Sequence, residues 1–202
     1  MPKIPILQKD QSYTFHSYFE MPYESDEILA ELGYSLSKSR LSLPNKNRPL
    51  ERLSEFQQRI EESLLLVNLS SETARRETLV APVLLEVAHY CQCQVRIEYP
   101  LTVNNWLKGN LDYLLRLKSS LLVVEAKKDD LTRGFTQLAV EMIALAQAED
   151  QDVLYGAVTI GDAWRFGKLD SKQQQINQDI ALYRVPDDLE VLIQILVGIV
   201  ER

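Results

Sequence analysis

The pattern of hydrophobic and polar positions is clearest between residues 106 and 128. Two apolar runs there, WLKGNLDYLLRL and LLVVEAKK, flank a polar turn at 118–120. Runs of this kind, bounded by a turn, are typical of paired β-strands. Because side chains alternate along a strand, Asp112 belongs to one face of the first strand, whereas Glu125 and Lys127 share a face of the second. The pattern therefore predicts a hairpin whose strands bring three charged groups together.

Periodic apolar positions on both sides of this hairpin predict further helices and strands. Hydrophobic residues that recur every three to four positions are typical of amphipathic helices, and short alternating or continuous apolar runs are typical of strands. We expect helices over 50–67, 71–89 (with a kink or a later start at Pro82), 132–149 and 189–200, and strands over 94–102, 153–160, 163–168 and 180–185.

Polar segments predict where the chain leaves the core. Residues 34–48 and 170–178 are rich in polar side chains, and we interpret both as loops. Residues 1–24 carry several aromatic side chains and three prolines, which predicts an irregular arm packed on the rest of the protein. A short helix over 26–32 follows it and ends at Gly33.

The chain of 202 residues is long enough for one domain with a substantial core. We therefore expect an N-terminal arm with a short helix over residues 1–48 and an α/β (α+β) domain over residues 49–202. The formal net charge of −7 argues against a protein that coats nucleic acid by unspecific phosphate neutralisation. It leaves a nuclease open, because acidic ligands add negative charge while basic residues can cluster locally.

Cysteine content and hydropathy favour a cytoplasmic protein. Cys91 and Cys93 are the two cysteines of the sequence, and a C-x-C pair without further Cys or His ligands is a poor zinc site and a poor disulfide. No run approaches the roughly 18 consecutive apolar residues of a membrane helix. Residues 1–11 also lack the apolar region of a signal peptide. We therefore expect a reducing environment and no membrane partner.

The charged groups of the hairpin carry the candidate chemistry. Two carboxylates and an amine are costly to bury at the end of an apolar hairpin, and a divalent cation would offset that cost. Asp112, followed by Glu125-Ala126-Lys127, resembles the PD-(D/E)XK motif of the restriction-endonuclease-like superfamily. The upstream helix adds to the resemblance: Glu72, Arg76 and the run Leu79–Leu84 are similar to the N-terminal nuclease domain of type I restriction enzyme R subunits.

This resemblance implies a fold, a reaction and a set of site residues. The fold is an αβββαβ core with a mixed central sheet flanked by helices. The reaction is metal-dependent phosphodiester cleavage by an endonuclease that acts on nucleic acid, with DNA favoured. Asp112, Glu125 and the carbonyl of Ala126 would bind Mg²⁺ or Mn²⁺. Lys127 would position the attacking water or stabilise the phosphorus, and Gln137 on the following helix would approach the site.

Two alternatives stay open from the sequence. Glu72 and Glu77 are five positions apart and belong to different faces of one helix, so at most one is expected to join the metal ligands. Acids in the first turn of a helix are also typical of a solvated surface. In function, the alternative is a catalytically inactive module of the same fold that binds nucleic acid or a protein. The apolar helix 189–200 would suit a homodimer, although packing on its own sheet is the stronger expectation.

Overall fold

Eight strands within residues 5–202, the part of the chain that this computed structural model describes, form one mixed sheet flanked by helices. They run across the sheet in the order β1-β7-β6-β5-β4-β3-β2, with β8 beside β6. Neighbours are antiparallel except for the parallel pairs β4–β5 and β1–β7. The strands are β1 Ser35–Ser39, β2 Gln94–Thr102, β3 Lys108–Leu117, β4 Ser120–Ala126, β5 Val153–Thr159, β6 Ala163–Asp170, β7 Gln175–Asp179 and β8 Tyr183–Arg184.

Apart from α1, the helices lie close to where the sequence predicts them, with one interruption. A π-helical turn over Arg76–Val80 separates α4 from α5. Pro82 is the second residue of α5 and follows this turn directly, so its missing N–H lies where π-helical hydrogen bonding changes to α-helical hydrogen bonding. The helices are α1 Phe15–Glu20, α2 Ser25–Glu31, α3 Leu53–Leu66, α4 Glu72–Arg75, α5 Ala81–Cys91, α6 Leu131–Glu149 and α7 Leu189–Val200.

The predicted hairpin is confirmed and lies near the middle of the sheet. β3 and β4 pair from Leu117–Ser120 at the turn to Tyr113–Val124 at the far end. Every residue of β4 is buried, because β3 and β5 flank it and helices cover its faces. The α6 helix connects β4 to the parallel strand β5, as such a crossover requires. One end of β4 therefore leads directly into the helix that covers it.

Two apolar layers hold the helices to the sheet. One contains buried residues of α5 and α7, including Val83, Leu84 and Ile193. The other contains buried residues of α1, α2 and α6, including Phe15 and Phe135. The expectation that the C-terminal helix packs on its own sheet is confirmed, since most of α7 is buried. Within the described residues, no helix is long and apolar enough to cross a bilayer.

Two predictions made for polar segments are wrong, and one predicted strand is shorter than expected. The predicted loop over 34–48 contains β1, and the predicted loop over 170–178 contains most of β7; the two strands pair in parallel from Ser35–Gln175 to Ser39–Asp179. The predicted strand over 180–185 is reduced to the two residues of β8. Backbone hydrogen bonds hold β1 in place although its sequence, SLSKS, has little apolar character, so a hydrophobicity pattern could not find it.

The N-terminal segment joins the same sheet as the rest of the chain. The irregular arm expected over residues 1–24 contains α1, whose Phe15 and Tyr18 are buried, while residues 1–4 lie outside the described part. The Tyr18 hydroxyl donates to the Trp106 carbonyl at 2.7 Å. Residues before position 49 therefore lie near both edges of the sheet: β1 forms one edge, and Tyr18 contacts the segment between β2 and β3 near the other. The division at residue 48 stays a prediction.

Candidate functional site

The two acids of the hairpin lie at the open end of the β3–β4 ladder. The last regular pair is Tyr113–Val124, and the next position on each strand carries Asp112 and Glu125. Beyond that pair the Ala126 N–H donates to Asp112 Oδ2 at 2.9 Å. A side-chain carboxylate thus replaces a backbone carbonyl as the acceptor. This hydrogen bond holds the Asp112 side chain of β3 against β4, the strand that carries Glu125.

Glu125 is fully buried, and two of its polar partners, Lys127 and Gln137, contact the same oxygen. Its Oε1 pairs with the Lys127 ammonium and accepts from Gln137 Nε2 at 2.7 Å. Its Oε2 has no hydrogen-bond partner among residues 5–202. Because an unpaired carboxylate oxygen is costly to bury, this atom marks the site as one that can accept a further donor or cation.

Lys127 is fixed at both its backbone and its side chain. Its N–H donates to the Thr159 carbonyl of β5 at 2.8 Å, so the chain beyond β4 stays attached to the sheet. The ammonium lies 5.0 Å from the centroid of the Phe19 ring, which adds a cation–π contact from α1. The side chain is 8% exposed. The amine therefore has little conformational freedom beside Glu125.

The α6 helix contributes two polar side chains, one turn apart, to the same cluster. Gln137 Nε2 donates both to Glu125 Oε1 and, at 2.9 Å, to Glu141 Oε1. Glu141 is fully buried. Gln137 Oε1 and Glu141 Oε2, like Glu125 Oε2, find no hydrogen-bond partner in the described part of the chain. A chain of three polar groups thus runs from the end of β4 into the interior of α6.

Arg76, from the π-helical turn, binds the other acid. Its Nη1 lies 3.3 Å from Asp112 Oδ1, and its Nη2 lies 2.8 Å from Glu98 Oε1 on β2. The guanidinium also lies over the Tyr113 ring, 5.2 Å from its centroid. Both Asp112 oxygens therefore have partners, one from a side chain and one from the backbone. Arg76 links the helical turn to two neighbouring strands.

A cavity of about 440 Å³ opens onto these groups. The side chains predicted to be functional converge there: Asp112, Glu125, Lys127 and Gln137 all line it. Of the two rival helix acids, Glu72 lines the cavity, whereas Glu77 does not. The other walls include Arg76, Glu98 and the start of α1 with its preceding residue, namely Thr14, Phe15 and His16.

Burial and charge crowding shift the protonation equilibria of the cluster. Burial raises the pKa of Glu125 to about 8, and the neighbouring Asp112 acts in the same direction. Burial also raises the pKa of Asp112, against the opposing effect of Arg76, and it raises the pKa of Glu141. Burial favours the neutral amine of Lys127, but the attraction of Glu125 and Asp112 outweighs it and raises the pKa of that amine.

The carboxylate oxygens at the cavity suit a hard cation, but they are not already arranged as a complete coordination site. Asp112 and Glu125 supply carboxylate oxygens, with Glu72 a third acid on the cavity wall. The unpaired Glu125 Oε2 supplies a buried oxygen that a cation would satisfy. Across residues 5–202, however, no three His, Cys, Asp or Glu side chains are already gathered around a common point. Arg76 and Lys127 occupy carboxylate oxygens that a cation would share.

Sequence reasoning did not assign a role to three residues of the cluster. Glu98 has a backbone φ of 51°, which no hydrophobicity pattern predicts. Phe19 reaches the site from a segment that was expected to be irregular. Glu141 carried a usable signal, because it lies four positions after Gln137 and the two share a helix face otherwise lined by apolar residues.

Comparison with known proteins adds no assignment: no family model matches the chain, and no curated protein matches it significantly.

Gly134, in the first turn of α6, allows the helix to approach Lys127. A Cβ at this position would lie 2.9 Å from Lys127 Cγ and 2.8 Å from Val158 Cγ2. We expect Gly134→Ala to lower the free energy of unfolding by about 1–3 kcal/mol, because both neighbours must move. Denaturant unfolding measures this change. An increase in stability of about 1 kcal/mol, as helix propensity alone would give, would contradict the close packing.

Proposed function

We propose that the protein is a metal-dependent phosphodiesterase, an endonuclease that acts on nucleic acid with DNA favoured. The observation that carries the proposal is the convergence of Asp112, Glu125 and Lys127 on one cavity, at the end of two paired strands. The order α5, β2, β3, β4, α6, β5 supports an αβββαβ core of the restriction-endonuclease-like kind. The location of the charged groups at the open end of a hairpin also supports it, because a substrate can reach them from the cavity.

The residues present fit a divalent cation. Asp112, Glu125, the Ala126 carbonyl and Glu72 would hold Mg²⁺ or Mn²⁺, and Glu72 is preferred over Glu77 because it lines the cavity. The unpaired buried oxygen of Glu125 supports this assignment. When bound, the cation would lower the pKa of a coordinated water and offset charge on a phosphate.

The chain's own side chains would orient the reacting groups. Lys127 supplies a fixed positive charge beside the cavity, which stabilises negative charge that develops on a phosphate in the transition state. Gln137 holds one oxygen of Glu125. Arg76 holds one oxygen of Asp112 and is the second cationic group on the cavity wall. Together these contacts fix both carboxylates before a substrate binds.

The surroundings of the site support a nucleic-acid substrate. Lys128 directly follows the site lysine and is exposed, and the Arg133 side chain at the start of α6 is 58% exposed. Exposed cations of this kind contact backbone phosphates. Cys91 and Cys93 are free thiols, which supports the proposed cytoplasmic location.

Cleavage assays with Asp112→Asn test the proposed reaction. We expect the wild-type protein to cut plasmid DNA with added Mg²⁺ or Mn²⁺ and not with EDTA. Asp112→Asn is expected to lower the cleavage rate at least about 100-fold, because it removes one of the three carboxylates that would hold the cation. Gel analysis with duplex and single-stranded DNA and with RNA measures the rates and the strand preference.

Asp152→Asn is the matched control, since Asp152 makes an exposed ion pair with Lys172 outside the cavity. This variant should cut at the wild-type rate. Cutting by Asp112→Asn at a rate close to that of the control would exclude the proposed site.

The structure also favours one second function, a nucleic-acid-binding or protein-binding module of the same fold that does not cleave. The supporting observation is that Arg76 already pairs with Asp112, while within the described residues no three His, Cys, Asp or Glu side chains are grouped so that they could hold a metal ion. Such a module would bind labelled DNA or a protein partner equally well in EDTA and in Mn²⁺. It would show no cleavage under any metal condition.

A further inference from the structure

Glu141 is a fully buried acid to which the proposed reaction assigns no role. It lies in the interior of α6, and its neighbours Val140, Met142 and Ile143 are also fully buried. It does not line the cavity, so no substrate group contacts it there. A carboxyl group in such a position is costly, because its oxygens lose water and one of them gains no partner within residues 5–202.

Glu141 is linked to the candidate site by the Gln137 amide, and its carboxyl group also interacts with that of Glu125, so that burial and this interaction raise the pKa of Glu141. Gln137 Nε2 carries two hydrogens, and it donates to Glu141 Oε1 at 2.9 Å and to Glu125 Oε1 at 2.7 Å. Because both hydrogens have acceptors, the plane of the amide is fixed. Without Glu141, the Gln137 side chain could turn about its last torsion and release Glu125 Oε1.

We propose that Glu141 is a positioning residue that, through the Gln137 amide, holds the Glu125 carboxylate in its orientation beside Lys127. The proposal deepens the function inferred above and rests on it. Glu125 Oε1 is held by Gln137 and Lys127, whereas the buried Oε2 takes no part in these two contacts. Glu141 therefore sets which Glu125 oxygen is available, although it does not touch the reacting atoms.

The energetic cost of burying Glu141 distinguishes a role in orienting Glu125 from a role in stabilising the fold. Replacing a buried polar cluster by apolar groups of similar volume is frequently neutral for stability, whereas leaving one partner unpaired is costly. A purely structural Glu141 would be expected to stabilise α6, yet one of its oxygens is unpaired. Outer residues that orient a metal-binding side chain usually change affinity or rate by about 10- to 100-fold when removed.

The test compares Glu141→Met, Gln137→Met and the double variant with the wild-type protein. Methionine fills the same helix interior with a flexible apolar chain. We expect Glu141→Met to keep its melting temperature within a few degrees, to lose about 10- to 100-fold in kcat with little change in KM, and to bind Mn²⁺ about 10-fold more weakly by titration calorimetry. Adding Glu141→Met to Gln137→Met should cause little further loss, because both act on the same carboxylate.

Two further variants complete the design. Glu141→Gln keeps an oxygen that accepts from Gln137, so it should recover most of the loss in kcat and in Mn²⁺ affinity. Glu149→Leu removes an acid from the same helix that pairs with Arg116 outside the cavity, and it should not change kcat. If Glu141→Met does not fold, the recovery by Glu141→Gln, measured against Gln137→Met, still decides the question.

Three results would overturn the proposal. Glu141→Met could cleave and bind Mn²⁺ like the wild-type protein, a folded Glu141→Gln variant could lose as much activity as Gln137→Met, or the losses of the two single variants could multiply in the double variant. A wild-type protein that neither cleaves nor binds Mn²⁺ would overturn the proposed function and this role together. A failure confined to the variant comparison would overturn the role of Glu141 alone.

Discussion

Lys127→Met is expected to lower the rate of metal-dependent DNA cleavage about 1000-fold while the protein stays folded. The ammonium is the positive charge that the structure places directly against Glu125 on the cavity wall. Loss of one fixed group that stabilises transition-state charge costs about 100- to 1000-fold in rate. Because the charge acts on the transition state more than on the bound substrate, the loss should fall on kcat and leave KM nearly unchanged.

The fold should survive this substitution for two reasons. Methionine keeps the apolar part of the side chain, which packs closely against Gly134. Glu125 loses its cationic partner, but burial already raises the pKa of that carboxyl to about 8, so near neutral pH the carboxyl can bind a proton in place of the ion pair. Circular dichroism and thermal melting at pH 7 should therefore show a folded protein.

Two controls make the Lys127 result specific. Lys172→Met removes an exposed lysine that pairs with Asp152, and it should cut DNA at the wild-type rate. Lys127→Arg keeps the charge but should stay strongly impaired, because the larger planar guanidinium would have to fit the buried position of the ammonium beside Glu125 and the Phe19 ring. Cleavage by Lys127→Met within tenfold of the wild-type rate would remove Lys127 from the proposed chemistry.

The charged part of the site was predictable because it depends on local geometry. Strand alternation places Glu125 and Lys127 on one face, and pairing of the hairpin strands places Asp112 of β3 opposite Glu125 of β4. Both relations follow from residues less than twenty positions apart. The apolar runs that flank them are strong enough to specify the strands, and all of β4 is buried as such a run requires.

The parts that could not be predicted depend on distant contacts or on polar strands. Arg76 reaches Asp112 because a π-helical turn and β3 pack together, which no local pattern shows. The α1 helix contributes Phe15 to the cavity wall because Gly109 lets the ring approach to within 2.8 Å of where a Cβ would lie. Pairing of β1 with β7 depends on backbone hydrogen bonds rather than on apolar side chains.

The burial of Glu141 could not be predicted from the sequence either. Glu141 and the half-buried Glu149 belong to the same helix, and both are acids in an amphipathic pattern. Their burial differs because the middle of α6, residues 134–146, is buried on all sides, whereas the last turn reaches solvent. A helix that is covered on all sides hides its polar residues from any rule that assigns acids to the surface.

Because Glu125 binds a proton in the folded protein, we expect the free energy of unfolding to fall as the pH rises. The measurement is made in EDTA, so that no metal ion is bound. Its carboxyl has a pKa of about 8 in the folded protein and an ordinary value of 4.5, since burial disfavours the charged form. Between these two values the folded state holds the proton more tightly than the unfolded state does. The free energy of unfolding therefore falls as pH rises from about 4.5 to about 8, and the stabilising contribution is fully present only below that window.

Glu125→Gln removes this titration while keeping the shape and the neutral hydrogen-bonding capacity of the protonated acid. We expect the variant and the wild-type protein to differ little in stability near pH 5. At pH 9 the variant should be more stable by about 3–5 kcal/mol, an order-of-magnitude figure from the size of the pKa shift. For a chain of this length that difference corresponds to a rise in melting temperature of about 10 °C.

Urea unfolding at several pH values between 5 and 9 measures the difference directly. Glu61→Gln, on the exposed face of α3, is the control and should leave the pH dependence of stability as it is in the wild-type protein. Parallel stability curves for Glu125→Gln and the wild-type protein would mean that Glu125 is not desolvated in the folded state. The buried cluster would then have to be open to water, and the ordered arrangement of Glu125, Gln137 and Lys127 would not hold in solution, because a solvated carboxylate has no need of those partners.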